Sequence, residues 1–271
     1  MSRFRTDTAV TRVEGPAEPV AGERVTYSAR IDPSWWIVMG PNGGYVAAII
    51  ARAVVDAAGT AERRLHSLTL HYLRPPVEGP CDVAVDVERV GRGLTSVTLR
   101  MTQDGRPVVV GVAALGVHRE SITIDQLVRP DVPDPEQTPA PLVPRSPIPM
   151  GQHFSNLPVF GNRMGGIDGP GVARTGGWMR YLDPTDIDEI ALVALSDAWW
   201  PPLMEVVDEP MAVPTVDLTV HVRALPEDPS DYVLGEFVAP YAADGYTIED
   251  GRLWSRHGTL LAESRQLAVL I

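Results

Sequence analysis

The segments LTLHYLR at residues 68–74 and LTVHVR at residues 218–223 carry nearly the same letters in the two halves of a chain of 271 residues. Their first four positions differ only where Leu70 corresponds to Val220. Around each segment the same features recur in the same order: a strand, an apolar helix and then further strands. A repeat on this scale predicts an internal duplication of one structural unit.

The first half contains a candidate buried helix. A strand-like segment at 23–31 leads to the turn PNGG at 41–44 and then to an apolar stretch from 45 to 58. Apolar residues recur in that stretch with the helical period, and only Arg52 and Asp56 interrupt them. The pattern predicts a helix enclosed on most sides.

The second half begins with GGWMRYLDP at 176–184 and continues into a helix that we predict from Ile187 to about Trp200. Asp186, with Glu189 three residues later, is an Asp-led variant of a capping box at the start of this helix. The prolines at 201–202 end it.

Strand-like segments follow each predicted helix. In the first half they lie at 65–76, 81–90, 94–103 and 106–117, and in the second half at 215–224, 231–241, 251–258 and 259–271. Turn signals at Asp104-Gly105 and at Gly258 divide the last two segments of each half. These features are typical of an antiparallel sheet.

Prolines separate the halves. Between Ile122 and Met150 the chain has eight prolines, at 130, 133, 135, 139, 141, 144, 147 and 149, so neither a helix nor a paired strand can persist there. We therefore expect an N-terminal domain at 1–118, a Pro-rich linker at 119–164 and a C-terminal domain at 165–271.

Charge and composition exclude several classes of protein. The formal net charge is −12 and the pI is about 4.9, whereas a nucleic-acid-binding protein needs a basic surface to neutralise phosphates. Every basic residue is an arginine, so guanidinium groups would have to recognise any phosphate. Nucleotide-binding loops and the motifs of serine hydrolases and zinc peptidases are absent from the sequence.

The cellular setting follows from Cys81 and the N-terminus. A single cysteine forms neither an internal disulfide nor a thiolate metal cluster, and it fits a reducing compartment. The first ten residues, MSRFRTDTAV, lack the apolar core of a signal peptide. Glycines and a proline break the uncharged run from Pro33 to Ala51. We expect a cytoplasmic protein with no metal site and no stable membrane insertion.

Motifs from both halves resemble those of one family. They are GPNGGYVAAIIARA (40–53), HSLTLHYLRPP (66–76), VERVGRG (87–93), LSDAWWPP (195–202), PTVDLTVHV (214–222) and AESRQLA (262–268). These motifs are similar to those of the acyl-CoA thioesterase II, or TesB-like, family over nearly the whole chain outside the linker. The resemblance implies an α+β double hotdog, in which two antiparallel sheets each wrap around a long central helix.

Asp197 is a candidate acid–base residue. It lies near the C-terminal end of the second predicted helix, where the helix dipole disfavours an anion, so helix stability does not explain it. Apolar neighbours such as Leu195 and Trp199 indicate limited hydration, which raises the pKa of a carboxyl group. A carboxylate that caps a neighbouring loop explains the residue equally well.

Two polar strand positions are further candidates. Alternation places Thr215 on one face with Asp217, Thr219 and His221, and alternation alone does not choose among the four. Gln266 shares a face with small residues, so we expect its amide to be enclosed. Such an amide needs partners, which are either backbone groups or a water beside a substrate.

The resemblance assigns roles to these residues. In the TesB-like family an Asp on the second helix, a Thr at the start of the following strand and a Gln in the last strand orient and activate a water. Asp197, Thr215 and Gln266 match those positions. Ala113 stands where the first half would have its Gln, so one active centre per chain is expected. The implied activity is hydrolysis of fatty acyl-CoA, with no cofactor because coenzyme A is part of the substrate.

Further residues are candidates for substrate binding. Gly43 and Gly44 begin the first predicted helix, where free N–H groups suit an oxyanion. Arg74, Arg89 and Arg92 are candidates for binding the phosphates of coenzyme A. We also expect a homo-oligomer formed through the hotdog sheets.

Two alternative functions fit the same fold. One is a non-catalytic acyl-CoA-binding protein that has lost turnover. The other is a hotdog hydratase or dehydratase acting on enoyl thioesters, which usually depends on a catalytic histidine near an acid. His71 and His221 are the histidines that support this second alternative.

Overall fold

The computed structural model describes residues 2–58, 60, 62–140, 146–163, 165–209 and 211–271. The first half contains α1 (Arg3–Asp7), β1 (Thr11–Glu14), β2 (Arg24–Ile31), α2 (Gly43–Ala58), β3 (Arg64–Tyr72), β4 (Gly79–Val90), β5 (Leu94–Gln103) and β6 (Arg106–Gly116). The second half contains β7 (Phe154–Phe160), β8 (Arg174–Tyr181), α3 (Glu189–Leu195), β9 (Thr215–Val222), β10 (Val233–Ala243), β11 (Tyr246–Trp254) and β12 (Leu260–Val269). Short 3₁₀ turns lie at Pro33–Trp35, Met150–His153 and Pro202–Glu205.

The strands form an antiparallel sheet that shows the duplication directly. Their order is β1-β2-β4-β5-β6-β3-β9-β12-β11-β10-β8-β7. Outward from the centre, β3-β6-β5-β4-β2 corresponds to β9-β12-β11-β10-β8. The two half-sheets, which the sequence suggested as separate sheets, are therefore joined through β3 and β9. With α2 and α3 packed against their own half-sheets and against each other, the predicted α+β double hotdog is confirmed.

The repeated segments meet at the centre of this sheet. In the β3–β9 pairing, Thr69 lies opposite Thr219 and Leu70 lies opposite Leu218. The two threonine hydroxyls are 3.0 Å apart and share a hydrogen bond. Because equivalent residues pair with each other here, the pseudo-two-fold axis of the molecule passes between the two threonines.

The helix α2 is buried along most of its circumference, as its composition predicted. Its two charged residues have partners at the periphery. Arg52 donates to the hydroxyl of Thr8 at 2.9 Å, and Asp56 accepts hydrogen bonds from Arg12 at 2.6 Å and from the Tyr27 hydroxyl at 2.7 Å. These contacts satisfy both charged groups at the edge of the apolar core.

The second helix is shorter than predicted and begins with a different cap. Asp188, and not Asp186, is its N-cap residue, with a carboxylate that accepts from the N–H groups of Ile190 at 3.1 Å and Ala191 at 2.8 Å. The predicted capping residue Asp186 makes no such bond. The proximity of Glu189 misled the capping-box interpretation, which was wrong by two positions.

The helix α3 also ends earlier than predicted, at Leu195 instead of about Trp200. Beyond Leu195 the hydrogen bonds tighten, because the N–H groups of Asp197 and Ala198 bond to carbonyls three residues back, at 3.3 Å each. Ser196 also turns its hydroxyl onto the Leu192 carbonyl at 2.9 Å. The chain therefore leaves the helix before Asp197.

The region between the halves is not a simple spacer. The described residues from 117 to 140 and from 146 to 149 contain no helix or strand, as expected; Pro141 and Pro144 lie outside the described residues. Val132 packs into an apolar cluster with Trp178 and Trp254, and the Trp178 indole donates to the Pro133 carbonyl at 2.8 Å. This part of the linker thus covers apolar side chains of the second half.

The structure contains elements that the sequence interpretation missed. The strand β7 falls within the range 119–164 that was assigned to the linker, and it pairs with β8 at the edge of the sheet. The helix α1 and the strand β1 precede the first predicted strand. No helix in the described part of the chain is both long and apolar enough to cross a membrane.

The cap assignment of α3 can be tested by denaturation. Asp188→Ala should lower the free energy of unfolding by about 1 kcal/mol, because two helix N–H groups lose their acceptor. Asp188→Asn, which keeps an acceptor oxygen, should lose less. Asp186→Ala should change stability by less than about 0.5 kcal/mol, since Asp186 is exposed and pairs only distantly with Arg5, at 3.8 Å. Equal losses for Asp186→Ala and Asp188→Ala in urea titrations would contradict this assignment.

Candidate active site

The start of α2 meets the chain just beyond the end of α3, and Asp197 lies at this junction. One carboxylate oxygen, Oδ2, accepts hydrogen bonds from the Gly44 N–H at 2.8 Å and from the Asn42 amide at 3.0 Å. The N-terminus of a helix carries partial positive charge, so it stabilises an anion. An aspartate that is unfavourable at the end of its own helix is therefore stabilised by the other helix.

Asn42 organises the junction, and the sequence interpretation assigned it only to a turn. Its side-chain oxygen accepts from the Tyr45 N–H at 2.8 Å, which caps α2. Its side-chain nitrogen donates both to the Asp197 carboxylate and, at 2.7 Å, to the Asp197 carbonyl. One amide thus links the cap of α2 to both the backbone and the side chain of Asp197.

Glycine is required where the two helices touch. A Cβ atom on Gly44 would lie 2.5 Å from the Ala194 carbonyl oxygen, and one on Gly43 would lie 2.9 Å from the Asp197 carboxylate. Because the Gly44 N–H already donates to Asp197, it is not free as the sequence interpretation assumed. The predicted oxyanion role of this group is corrected: in this structure the group holds the carboxylate.

Thr215 reaches the interior through an irregularity in the sheet. In the β12–β9 pairing Gln266 lies opposite Leu218, but two positions later Ala268 lies opposite Thr215, so Val216 is an extra residue. Such a bulge reverses the alternation of the strand. Thr215 therefore shares the inner face with Gln266, and the alternation that grouped it with Asp217, Thr219 and His221 was wrong.

Gln266 connects the three candidate residues. The Thr215 hydroxyl donates to the Gln266 side-chain oxygen at 2.8 Å, and the Gln266 amide nitrogen approaches Oδ1 of Asp197 at 3.4 Å. The glutamine is only 6% exposed, as its small neighbours predicted. The structure thus brings Asp197, Thr215 and Gln266 into one network.

A fourth polar residue, Glu249, belongs to this network. It lies opposite Gln266 in the β11–β12 pairing and accepts from the Gln266 amide nitrogen at 2.8 Å. The sequence contained a signal for it that was overlooked. Glu249 alternates with Thr247, Gly251 and Leu253, which are buried, and an acid on such a face is unusual.

Burial dominates the electrostatics of the two acids. It raises the pKa of Asp197 to about 6, although the hydrogen bonds from Gly44, Gln266 and Asn42 oppose this shift. Burial, followed by the negative charge of Asp197, raises the pKa of Glu249 to about 8. In the part of the chain that the structure describes, neither carboxylate has an ion-pair partner within 4.0 Å. The site therefore favours the neutral form of Glu249 more strongly than the neutral form of Asp197.

The two ends of β3 separate the arginines proposed to bind coenzyme A. Arg74 follows β3 beside Tyr72, whose hydroxyl donates to the Gly43 carbonyl at 2.8 Å. Arg89 and Arg92 lie where β4 turns into β5, at the end of the sheet where Leu94 pairs with Gly116. Arg64, at the start of β3, pairs with the same Gly116.

Arg74 is therefore separated from Arg89 and Arg92 by the full length of β3. Within one chain, Arg89 and Arg92 cannot join Arg74 in a single phosphate site next to Asp197. Phosphate binding by Arg74, Arg89 and Arg92 stays a prediction, and spacing along the sequence did not reveal that they lie at opposite ends of β3.

The histidines of the alternative reading lie on the other side of the sheet. His71 and His221 are exposed, and they alternate with the buried residues Leu70 and Val220. Asp197 and Gln266 are on the inner face. The histidines are thus separated from the candidate acid by the sheet itself, and the hydratase alternative loses the residues that motivated it.

The pseudo-symmetric position in the first half lacks the polar side chains of Thr215 and Gln266. There, Leu68 lies opposite Ala113, as Leu218 lies opposite Gln266, and a matching bulge separates Leu65 from Ser67. Leu65 and Ala113 thus replace Thr215 and Gln266. The described residues also include no cluster of ligands suited to a metal ion.

Comparisons with known proteins agree with the duplicated architecture. A model of the acyl-CoA thioesterase N-terminal domain matches residues 32–116, and a model of the acyl-CoA thioesterase C-terminal domain matches residues 125–270. An uncharacterized protein of Mycobacterium tuberculosis is 24% identical over 269 residues, with 90% of each chain covered.

Solved structures show the same fold over the whole chain. A protein of unknown function with a hot dog fold from Alicyclobacillus acidocaldarius is 28% identical, with a TM-score of 0.86 and coverage of 100% of this chain and 98% of its own. The acyl-CoA thioesterase II TesB2 of Mycobacterium marinum is 19% identical, with a TM-score of 0.77 and coverage of 99% and 98%. Because the N- and C-terminal thioesterase domain models match in order, one on each half, the chain belongs to the acyl-CoA thioesterase family that these models describe.

Proposed function

We propose that this protein hydrolyses fatty acyl-CoA to the free acid and coenzyme A, with Asp197 as the general base. The observation that carries the proposal is the environment of Asp197: a carboxylate with a pKa near 6, fixed by the start of α2 and linked through Gln266 to Thr215. A base with a pKa just below neutral is ionised at pH 7 and still accepts a proton readily.

The two oxygens of Asp197 have different tasks in this proposal. Oδ2 accepts from Gly44 and Asn42 and is held by them. Oδ1 faces Gln266 with only a long contact of 3.4 Å, so it is the oxygen that takes the proton. The carboxylate is thereby oriented by one oxygen and reactive at the other.

Thr215 orients the nucleophilic water in the proposed reaction. Because its hydroxyl hydrogen points to Gln266, its oxygen lone pairs remain able to accept from a water. A water that donates one hydrogen to Thr215 and the other to Asp197 directs its own lone pair at the substrate. Gln266 then acts by aligning these two acceptors.

The chemical step balances without a cofactor. The water oxygen attacks the thioester carbonyl carbon while Asp197 takes one proton from the water. The tetrahedral intermediate collapses with cleavage of the carbon–sulfur bond. The thiolate of coenzyme A then receives the proton from Asp197, which regenerates the base. The products are a carboxylic acid and a thiol.

The surroundings of the site support an apolar acyl group attached to coenzyme A. The loop before α2 exposes Ile37, Val38 and Met39, with relative exposures of 41%, 80% and 74%. This loop leads directly to Asn42 and Gly43, and Gly40 lies close to Pro75. Arg74, in the same region, is the arginine best placed for a phosphate. A homo-oligomeric state and a cytoplasmic location stay predictions.

The role of Asp197 can be tested with Asp197→Asn. We expect kcat for acyl-CoA hydrolysis to fall at least about a hundredfold, because an amide accepts no proton at neutral pH. Release of the thiol from a chain-length series of acyl-CoAs, followed with a thiol reagent, measures the rate. Circular dichroism and thermal unfolding serve as controls for folding.

Two outcomes of that experiment would count against the proposal. A near-normal rate in Asp197→Asn would remove this residue from the mechanism. Saturable binding of acyl-CoA by the unaltered protein, with no thiol released from any chain length, would instead favour the non-catalytic binding protein.

The pH dependence tests the hydrogen bonds that hold Asp197. Since the reaction needs the ionised carboxylate, kcat/KM should fall about tenfold per pH unit below the pKa of about 6. Asn42→Ser keeps an oxygen that can cap α2 but removes the amide donor to Asp197. Loss of a hydrogen bond to the anion raises its pKa, so we expect the acid limb to move up by about one unit. An unmoved limb would show that Asn42 does not stabilise the anion.

A further inference from the structure

Glu249 is the acid in the network to which the hydrolysis mechanism assigns no task. It lies on the inner face of β11, directly opposite Gln266 on β12. Its only side-chain hydrogen bond among the described residues is the one it accepts from Gln266 at 2.8 Å. A carboxyl group this enclosed is costly to keep unless it has a structural or chemical role.

With Glu249 in place, both the oxygen and the nitrogen of the Gln266 side-chain amide have hydrogen-bond partners. Its oxygen accepts from Thr215, and its nitrogen donates both to Glu249 and towards Asp197. An amide flipped by 180° would point its oxygen at the Asp197 carboxylate and at the carbonyl oxygen of Glu249, both of which accept only, and its nitrogen at the hydroxyl of Thr215. Glu249 therefore helps to fix which end of Gln266 faces Asp197.

Among the described residues, the charges that act on Glu249 are those of Asp197 and Asp250. Asp197 approaches from the segment after α3. On β11 itself Asp250 points to the opposite face and pairs with Arg265 of β12 at 2.6 Å. On the side of β11 away from β12, Glu249 faces strand β10 at its irregular stretch between Val238 and Tyr241. This stretch consists of Ala239 and Pro240.

No described cation forms an ion pair with Glu249, so ionising it would place a second negative charge beside Asp197 without compensation. The neutral acid has no such conflict. It accepts from Gln266 through one oxygen and carries its proton on the other.

We propose that Glu249, in its neutral form, is a positioning residue that holds the Gln266 amide in the orientation needed by Asp197 and Thr215. The inference rests on the proposed hydrolysis and deepens it. Ionisation of Glu249 adds repulsion to Asp197 and draws the Gln266 nitrogen towards itself, so the network loses its alignment. Since burial raises the pKa of Glu249 to about 8, activity should decline as the pH rises through that value.

Variants at Glu249 separate positioning from mere packing. Glu249→Ala removes the acceptor and should lower kcat at least about tenfold at pH 7, with little change in KM. Glu249→Gln supplies an uncharged acceptor and should recover most of that loss. It should also lack the alkaline decline near pH 8 while keeping the acid limb set by Asp197. Asp250→Asn is the matched control, because it removes a neighbouring acid on the outer face. The alkaline limb should remain and move towards lower pH, since the charge of Asp250 contributes to the raised pKa of Glu249.

Thermal unfolding gives a second readout that needs no turnover. A folded-state pKa raised to about 8 from the usual range of a glutamate means that stability is present at low pH and lost as the pH rises through 8. Glu249→Gln lacks this loss, so its Tm relative to the unaltered protein should rise by at least about 2 °C between pH 5 and pH 9.

The two readouts keep the proposals distinguishable. An alkaline limb that is the same in Glu249→Gln and the unaltered protein, or normal turnover in Glu249→Ala, would overturn the role of Glu249 while hydrolysis stands. Absence of hydrolysis in the unaltered protein would overturn both roles. In that case a pH-independent Tm difference would also show that Glu249 is not held neutral.

Discussion

The contact between the start of α2 and Asp197 is the interaction on which the site depends. It satisfies the first N–H groups of one helix with a carboxylate that the other helix cannot stabilise. The same contact fixes the carboxylate within reach of Gln266. It demands glycine at position 44, where the backbones approach closely, and leaves little room for a side chain at position 43, next to the Asp197 carboxylate. Capping and catalysis, which the sequence left as alternatives for Asp197, are thus compatible functions of one side chain.

Much of the fold could be predicted because it depends on periodicity. The apolar period of 45–58 and the alternating strands follow from burial on one face or on all faces. The similarity of Leu68–His71 to Leu218–His221 marked the segments that pair at the centre. The strand β7 could not be predicted in the same way, because Pro158 and the preceding prolines conceal a strand that pairs only with β8 at the sheet edge.

The candidate site was predictable in its residue types and not in its geometry. The family resemblance selected Asp197, Thr215 and Gln266, but strict alternation placed Thr215 on the wrong face, since a bulge has no clear sequence signature. The arginines show a related difficulty, because Arg74 and Arg92 are close in sequence and lie at opposite ends of a strand. Glu249 could have been found by asking which buried strand face contains an acid. Asn42 needed the structure, because its partner is distant in the chain.

The bulge that turns Thr215 inward has a counterpart between Leu65 and Ser67. Both copies share this backbone irregularity and differ in the side chains that it turns inward. An ancestor with two identical lobes would therefore have aimed the same pair of positions inward twice. Divergence then filled one pair with a hydroxyl and an amide, and the other with Leu65 and Ala113. The two copies therefore differ in the side chains at these inward positions and agree in the bulge that turns the positions inward.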